Sequence, residues 1–343
     1  MEFSLLRKLM DTPGVSGNET KIRNIIAEEI KPYVDDIKVD RIGDIIAHKK
    51  GNGPRVLLIA HMDEVGYMVK DIDDNGFIKV IAIGGIDPRV FYAQRVIVHG
   101  REDIRGIVGA TPPHLLKGKD SRDKTIPLDK CFVDIGMEAD DVKELVRPGD
   151  IVTFDVQSWE NDISLFGKAL DDRIGCFVMI EALKAAEKLD CDLYIAGSVQ
   201  EERGMKGASP VATAVQPDIA IALEGTFAAD VPGIPDTGGK SIQGKGPEIR
   251  LTDRAMMSHR GLVENLMTIG DSKEIDYQLA VKDAGATDAA AIHSALLGAQ
   301  VTGIAIPCRY IHAPCGIARK YDIEQMVKLI TEFIQQKEFS IKK

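Results

Sequence analysis

In the stretch RVLLIAHMD, residues 55–63, five consecutive apolar residues are followed at once by a histidine and, two positions later, an aspartate. An apolar run without alternation is typical of a strand that is buried on both faces of a sheet. In open α/β sheets the functional residues lie just beyond the carboxyl ends of such strands. The stretch therefore predicts a central strand whose end carries candidate chemistry.

Three further apolar runs resemble the first in length and composition: LYIAGSV at 193–199, DIAIAL at 218–223 and VTGIAIP at 301–307. Helical patterns alternate with them, DRIGCFVMIEALKAAEKL at 172–189 and DIEQMVKLITEFIQQKE at 322–338, and in the latter Ile323, Met326, Ile330 and Phe333 share one face. This alternation predicts an α/β fold with a mostly parallel sheet flanked by helices.

The N-terminal region predicts two helices and two short strands. A first helix is expected over residues 2–10, ending before the turn residues Pro13 and Gly14. The sequence SGNE at 16–19 is a capping-box pattern, which predicts a second helix that extends to about residue 34. Short strands are expected at 37–40 and 45–49.

Residues 66–162 have a different texture. Alternating apolar runs flank Asp74, Asn75 and Gly76, which is a strong hairpin signal, and further β patterns follow with one short helix at 139–145. We expect a small β-rich domain at 66–162, inserted into an α/β catalytic domain formed by residues 1–65 and 163–343.

Composition excludes several classes of function. The chain has 343 residues, a formal net charge of -10 and no basic stripe, so nucleic acid and anionic membrane surfaces are not expected partners. No apolar stretch reaches the length of a membrane span, and the N-terminus fits an amphipathic helix better than a signal peptide. The five cysteines include no CxxC pair, which favours reduced thiols and a cytoplasmic protein.

Polar residues at the predicted strand ends could bind metal. His61 and Asp63 form H-x-D, in which the aspartate could fix the tautomer of a liganding histidine; a strand-end histidine capped by a nearby acid is the alternative. Asp171 and Asp172 precede a predicted helix, where one aspartate would serve as an N-cap, but two exceed that need. A carboxylate that bridges two cations, supported by its neighbour, would use both.

Glu201 and Glu202 follow the second apolar run. A metal-dependent hydrolase needs one carboxylate on the metal and another free to take a proton from water, and adjacent residues on extended backbone point to opposite sides. A solvated pair of loop charges is the alternative. Glu224 and His312 follow the two remaining runs. We assign no ligand role to the other histidines, and no GxGxxG, P-loop or GxSxG motif is present.

Five segments together resemble one family: AHMDEVGYMV, GKALDDRIG, VQEERGMKGA, ADVPG and RYIHAP. In order and spacing they are similar to the tetrahedral (TET) aminopeptidases, cytosolic enzymes of which some were long labelled endoglucanases. The resemblance implies that Asp171 bridges two metal ions, with His61 and Glu224 completing one site and Glu202 and His312 the other. It also implies that Glu201 is the general base, that Asp63 orients His61 and that Asp172 supports Asp171.

The resemblance further implies a phosphorylase-like metallo-aminopeptidase fold. A water bridging two divalent ions, zinc or cobalt with manganese as a third candidate, would attack the N-terminal peptide bond of short peptides. The insertion would be a β-barrel-like dimerisation domain, and dimers would assemble into a tetrahedral dodecamer. Many family members have aspartate where this chain has Glu224, a ligand one methylene longer.

Two other functions remain open at this point. Paired carboxylates can also hydrolyse glycosidic bonds, so a glycoside hydrolase of the endoglucanase type is the alternative, although that chemistry does not need His61 and His312. A non-catalytic scaffold or metal-storage shell is the third. Residues lining the pocket for the substrate side chain are expected within GGKSIQGKGPEIR at 238–250 and HAPCGIA at 312–318, but the sequence does not reveal which side chain is accepted.

Overall fold

The computed structural model describes residues 1–115, 125–234, 241–295 and 297–339. The helices are α1 Ser4–Asp11, α2 Thr20–Ile30, α3 Ala139–Leu145, α4 Leu170–Ala185, α5 Ala208–Val215, α6 Arg260–Ser272, α7 Asp288–His293 and α8 Lys320–Gln335. The strands are β1 Asp36–Val39, β2 Ile45–Lys49, β3 Arg55–His61, β4 Gly66–Ile72, β5 Ile78–Ile83, β6 Arg95–His99, β7 Asp103–Ala110, β8 Cys131–Asp134, β9 Ile151–Phe154, β10 Trp159–Glu160, β11 Ser164–Gly167, β12 Asp192–Ser198, β13 Ile219–Phe227, β14 Glu248–Thr252, β15 Gln278–Val281, β16 Gln300–Arg309 and β17 Gly316–Arg319.

Strand β3 lies in the middle of an 11-stranded sheet, as its apolar run predicts. The sheet has the order β1-β2-β12-β3-β13-β16-β17-β11-β10, with β14 and β15 attached beside β16. The four central strands β12, β3, β13 and β16 pair in parallel. Their carboxyl ends therefore meet at one edge, and the polar residues that follow them are brought together there.

The two outer parts of the sheet are antiparallel, so the prediction of a mostly parallel sheet is too simple. Pairings of β1 with β2, β2 with β12, β16 with β17, and β17 with β11 are all antiparallel. Antiparallel neighbours need only a short turn. The turn from β1 to β2 is one example. In this turn the Asp40 carboxylate accepts hydrogen bonds from the N–H groups of Ile42, Gly43 and Asp44 at 2.9–3.0 Å.

Helices cover both faces of the central strands. Val56, Leu58 and Ala60 of β3 pack with helices α1, α2, α4, α6 and α8, whereas the alternate residues Leu57 and Ile59 pack with α5 and α7. Side chains alternate across a strand, so each face of β3 contributes to a separate core. The predicted apolar face of α8 is confirmed, since its four residues are fully buried. Within the described ranges, a helix able to span a bilayer is not found.

A second β structure follows β3 in the chain. Strands β4 to β9 close into a barrel in the order β4-β5-β8-β7-β6-β9, around a core of its own that includes Tyr67, Phe91 and Val98. The predicted hairpin is present: β4 pairs with β5, and the Asp73 carboxylate accepts hydrogen bonds from Asn75 and Phe77 in the turn. Strand β10, at residues 159–160, pairs with β11 of the large sheet instead.

The predicted capping box before α2 is wrong. Helix α2 begins at Thr20 without a side-chain cap. The Ser16 hydroxyl instead donates to the Asp63 carboxylate at 2.6 Å, and the Glu19 carboxylate accepts from the backbone N–H groups of Gly17 at 2.6 Å and Gln200 at 3.2 Å. Both side chains make tertiary contacts at the carboxyl edge of the sheet, which outcompete local capping.

Candidate metal centre

The carboxyl edge of the central strands collects the predicted site residues. His61 is the last residue of β3 and lies beside Ser198, the last residue of β12. Glu224 lies inside β13, which continues to Phe227, and not after the strand as the sequence suggested. His312 lies in the loop between β16 and β17, and Asp171 lies in the first turn of α4. Elements distant in sequence thus bring these side chains together.

His61 and Glu224, which we call the inner pair, face one oxygen of Asp171. The Nε2 atom of His61 lies 3.3 Å from Asp171 Oδ1 and 3.7 Å from Glu224 Oε2. The side chain of His61 is 1% exposed. Its Nδ1 atom lies 3.1 Å from the backbone oxygen of Asp63 and 3.4 Å from the Asp63 carboxylate, so the backbone carbonyl is the nearer partner.

His312 and Glu202, the outer pair, face the other oxygen of Asp171. The Nε2 atom of His312 lies 3.1 Å from Asp171 Oδ2 and 3.2 Å from Glu202 Oε1. The His312 side chain is 31% exposed. Its Nδ1 atom lies 2.8 Å from the carbonyl oxygen of Gly85, which follows barrel strand β5. Asp171 therefore lies between the two pairs, with one oxygen toward each.

The hydrogen-bond partners of the two histidines favour a cation between the side chains. A carbonyl oxygen only accepts hydrogen bonds, so Nδ1 of each ring carries the proton and Nε2 of the neutral ring presents a lone pair. In both rings that lone pair points at carboxylate oxygens, which repel it unless a proton or a metal ion lies between them. Three groups with ligand atoms within 4.8 Å of one another include these residues: His61, Asp171 and Glu224; Asp171, Glu202 and His312; and His61, Glu201 and Glu202.

The electrostatics of the metal-free chain agree with this geometry. Burial opposes the charged form of His312, but its contacts with Asp171 and Glu202 outweigh burial and raise its pKa to about 11. Burial also opposes the charged form of His61, but its contacts with Asp171 and Asp63 outweigh burial and raise its pKa well above the usual range. The pKa of Asp171 is lowered, because its two histidine partners outweigh the effect of its burial.

Three carboxylates of the cluster are destabilised in their charged forms. Burial raises the pKa of Glu201, Glu224 and Asp172 well above the usual range, and neighbouring carboxylates add to the shift. A cluster of carboxylates with two histidines thus carries an excess of negative charge that protons must neutralise in the metal-free chain. Divalent ions bound by imidazole and carboxylate would neutralise it instead.

Two aspartates hold the backbone around the cluster. Asp172 is fully buried and accepts hydrogen bonds from the N–H groups of His61 at 3.1 Å and Gly175 at 2.8 Å. Asp63 accepts from the N–H groups of Glu201 at 3.0 Å and Glu202 at 3.2 Å. The peptide bond between Asp171 and Asp172 is cis. Through its hydrogen bond with the His61 N–H group, Asp172 contacts the backbone of the strand that carries His61, a contact that the sequence did not suggest.

A buried ion network, which the sequence did not indicate, lies behind the cluster. The Glu64 carboxylate accepts hydrogen bonds from Lys168 Nζ at 2.7 and 2.8 Å and lies 3.5 Å from a guanidinium nitrogen of Arg173. All three side chains are buried. The network joins Glu64, the residue after Asp63, to Lys168 and Arg173, which lie on either side of Asp171 in the sequence.

The sequence matches the family model described as M42 glutamyl aminopeptidase over residues 43–329. The chain belongs to the M42 family. Membership confirms the resemblance noted above and makes this M42 protein an aminopeptidase, a hydrolase of peptide bonds. The alternatives of a glycoside hydrolase and a non-catalytic shell receive no support from the match.

Relatives of the M42 protein match over nearly their full length. It is 38% identical over 334 residues to a protein of Acetivibrio thermocellus that is provisionally named an aminopeptidase, covering 97% of this chain and 98% of that one. It is 32% identical over 346 residues to the lysyl aminopeptidase of Pyrococcus furiosus, covering 98% and 97%. The structure of the TET1 peptidase of Pyrococcus horikoshii is similar with a TM-score of 0.87 and 34% identity, covering 97% and 98%.

A cavity of about 450 Å³ opens beside the cluster of candidate ligands in the M42 protein. Glu201, Glu224 and His312 line one part of it, and two cations, Arg250 and Lys282, line another. A larger groove of about 1000 Å³ lies at the opposite edge of the sheet, where β3, β13 and β16 begin, and none of the predicted site residues lines it. The smaller cavity is therefore the candidate active site.

Arg250 and Lys282 are buried and paired. Arg250 contacts Glu248 at 2.9 Å and Asp253 at 3.1 Å, and Lys282 Nζ lies 2.6 Å from Glu248. The lysine also lies 4.2 Å above the ring of Phe227. Arg250 lies in a stretch that the sequence marked as lining the pocket, of which residues 238–240 lie outside the described residues. Lys282, which directly follows β15, was not expected, because a single lysine in the sequence usually indicates a solvated charge.

Proposed function

We propose that this aminopeptidase holds two divalent ions, one at the inner pair and one at the outer pair, with Asp171 shared between them. The placement of the two Asp171 oxygens, each facing one histidine Nε2, is the observation that carries this proposal. Bound ions would supply Lewis-acid polarisation of the scissile carbonyl and a water of lowered pKa. Ligands of imidazole and carboxylate suit zinc or cobalt, with manganese as a third candidate.

Glu201 is the proposed general base. Its carboxylate lines the cavity beside His61 and Glu202, within reach of a water held between the two pairs, and burial raises its pKa in the metal-free chain. It would take the proton from the attacking water and deliver it to the leaving amine. Asp63 would support this role through the Glu201 N–H group, and it would orient His61 through its backbone carbonyl more than through its carboxylate.

The substrates are proposed to be short peptides, and the cavity cations favour an acidic N-terminal side chain. Lys282 Nζ has three N–H groups, of which Glu248 and Thr226 take two among the described residues. The third is available to a ligand carboxylate. Glu248 and Asp253, the acidic partners of the two cations, do not line the cavity, whereas Arg250 and Lys282 do, so this part of the wall presents cationic groups. Glutamyl and aspartyl residues fit this surface better than lysyl residues.

A panel of aminoacyl-nitroanilides tests the side-chain preference. We expect kcat/KM to be highest for the glutamyl or aspartyl compound and the Lys282→Met variant to lose that preference. Lys79→Met is the matched control, because Lys79 also lies near a phenylalanine ring, 5.2 Å from the centroid of Phe132, but in the barrel. A preference for leucyl or lysyl compounds would overturn the assignment without affecting the metal centre.

The barrel is proposed to be a dimerisation domain, with residues 66–162 as the insertion and residues 1–65 and 163–343 as the catalytic domain. The TET1 peptidase of Pyrococcus horikoshii can assemble into a tetrahedron or a large octahedral shell. We infer a tetrahedral dodecamer for this chain as well. Light scattering after size-exclusion chromatography tests this, and a monomeric mass at working concentration would contradict it.

Chelation tests the metal dependence directly. Peptide turnover should disappear when the ions are removed and return when zinc, cobalt or manganese is added back. Turnover that survives complete metal removal would overturn the proposal. Hydrolysis of a glucan by the same preparation, at a rate comparable with peptide hydrolysis, would revive the glycoside hydrolase hypothesis.

A further inference from the structure

Four consecutive backbone N–H groups in the loop after β12 bind buried carboxylates. The N–H of Val199 donates to Asp44 Oδ1 at 2.7 Å, and the N–H of Gln200 donates to Glu19 Oε1 at 3.2 Å. The next two, of Glu201 and Glu202, donate to the two oxygens of Asp63, as described above. We call this arrangement the carboxylate clamp. Its three acids come from the β1–β2 turn, the start of α2 and the end of β3.

The loop backbone has a conformation that needs such support. Gln200 has a φ of 56°, a left-handed conformation that residues other than glycine adopt at a cost of about 1 kcal/mol or more. This turn at Gln200 directs successive N–H groups toward the acids. The loop is closed at its other end by a hydrogen bond from the N–H of Gly207 to the carbonyl of Val199 at 3.0 Å.

The clamp acids are buried rather than solvated. Asp44 and Asp63 are fully buried, and Glu19 is 4% exposed. Burying a carboxylate costs free energy unless hydrogen bonds stabilise it. The burial of Asp44 and Glu19 at this position therefore needs a structural reason. The ion network of Glu64, Lys168 and Arg173 lies elsewhere, and no lysine or arginine among the described residues forms an ion pair with Asp44 or Glu19. Asp44 and Glu19 instead accept hydrogen bonds from N–H groups of the loop that carries Glu201.

We propose that Asp44 and Glu19 are positioning residues, which fix the backbone at Val199 and Gln200 and so aim Glu201 before an ion or a substrate binds. Neither residue touches the reacting atoms. The assignment of Glu201 as the base rests on the proposed function. The preorganisation of the loop does not, since it follows from hydrogen bonds within the metal-free chain.

Gly207 gives an independent approach to the same contact. A Cβ atom built on Gly207 would lie 2.2 Å from Asp44 Oδ1 and 2.7 Å from the Val199 nitrogen. The φ of Gly207 is -73°, which alanine adopts without strain, so Gly207→Ala would act through its contacts with Asp44 and with the Val199 backbone, whose oxygen would lie 2.9 Å from the Cβ atom. We expect it to displace Asp44 from Val199 and to reproduce the effect of losing the Asp44 carboxylate.

Hydrogen–deuterium exchange of the metal-free protein, read by mass spectrometry, tests the clamp. The peptide that contains residues 199–202 should be protected in the wild type and should exchange on the order of tenfold faster in Asp44→Ala and Glu19→Ala, as expected for loss of a buried hydrogen bond. Asp44→Asn and Glu19→Gln keep an acceptor oxygen and should keep most of the protection. Asp73→Ala, which removes a carboxylate that holds two N–H groups in the barrel hairpin, is the matched control and should leave this peptide unchanged.

Kinetics of the metal-loaded enzyme supply the second readout. Asp44→Ala and Gly207→Ala should lower kcat by roughly 10–100-fold with little change in KM and no loss of bound ions, the range typical of groups that support a metal site from outside. Asp44→Asn should restore most of kcat.

Unchanged exchange of residues 199–202 in both Asp44→Ala and Glu19→Ala would overturn the proposal. So would acceleration that is equal in barrel peptides, because it would show only a general loss of stability. Absence of peptidase activity in the wild type would refute the proposed function and leave the exchange result standing.

Discussion

The inner and outer pairs of the metal centre are built differently. His61 and Glu224 lie on neighbouring parallel strands, β3 and β13, and both are buried. His312 lies in a loop, has a φ of 56°, is 31% exposed, and is held by the carbonyl of Gly85 from beyond the sheet. Ligands fixed by a sheet vary less than ligands carried by loops. We therefore expect the inner pair to bind its ion more tightly and the outer pair to depend on the segment after β5.

The largest effect should come from a variant that leaves both pairs intact. Glu201→Gln should lower kcat by about 10²–10⁴-fold, the usual contribution of a general base, because the amide cannot take the proton. The content of bound ions, measured by elemental analysis, should not change. Glu264→Gln, on an exposed face of α6, is the matched control. A Glu201→Gln enzyme that loses its ions would show that Glu201 is a ligand.

The two histidines should respond unequally to substitution. His61→Ala should lower kcat/KM by more than the roughly 10–100-fold that loss of a supporting group costs, and added metal should not restore it. His312→Ala should lose less, and a high concentration of zinc or cobalt should restore part of it, because the outer position is open to solvent. Steady-state rates at rising metal concentration measure the difference. Equal losses with equal rescue would remove the distinction between the pairs.

Gly84→Ala should weaken the outer pair selectively. Gly84 has a φ of 82°, and a Cβ atom there would lie 2.7 Å from Val65 Cγ1 and 3.0 Å from Glu202 Oε2. We expect an affinity loss of about tenfold for one ion, corresponding to about 1.4 kcal/mol, and unchanged affinity for the other. Metal titration of the variant measures both. Weakening of both ions alike would mean that the segment after β5 affects the whole cluster.

The smallest effect on turnover should come from the barrel core. Val98→Ala removes two methyl groups from a fully buried position and should destabilise the protein by about 1–3 kcal/mol. Neither His61 nor Glu224 belongs to this core, so the ion affinity of the inner pair should remain that of the wild type. Denaturant unfolding of the variant measures the loss of stability, and metal titration of the same variant measures the ion affinity of the inner pair. A matched loss of inner-pair affinity would contradict it.

Much of the sheet and the cluster could be predicted from the sequence, because these apolar runs indicate buried strands. The run before His61 is a central strand, and the residues after four such runs converge at one edge. The helix at 139–145 and the hairpin at Asn75 and Gly76 were also predicted. Those elements depend on local patterns of hydrophobicity and turn residues, which a single sequence contains.

The antiparallel edges and the supporting contacts could not be predicted. Strands such as β10 and β17 are too short to show a period, and their pairing depends on tertiary neighbours. Ser16 and Glu19 read as a capping box because local rules see only nearby partners, whereas their actual partners, Asp63 and Gln200, are distant in sequence. Asp44 likewise reads as a turn aspartate, and only the fold brings it to Val199.

Calorimetric titration of the metal-free protein with Zn²⁺ or Co²⁺, with peptide turnover measured at each step, tests the central claim most directly. We predict two ions per chain that bind in two steps of unequal affinity, with turnover appearing as the second ion binds. Saturation at one ion per chain, or full turnover after the first ion, would contradict a centre built from an inner and an outer pair around Asp171.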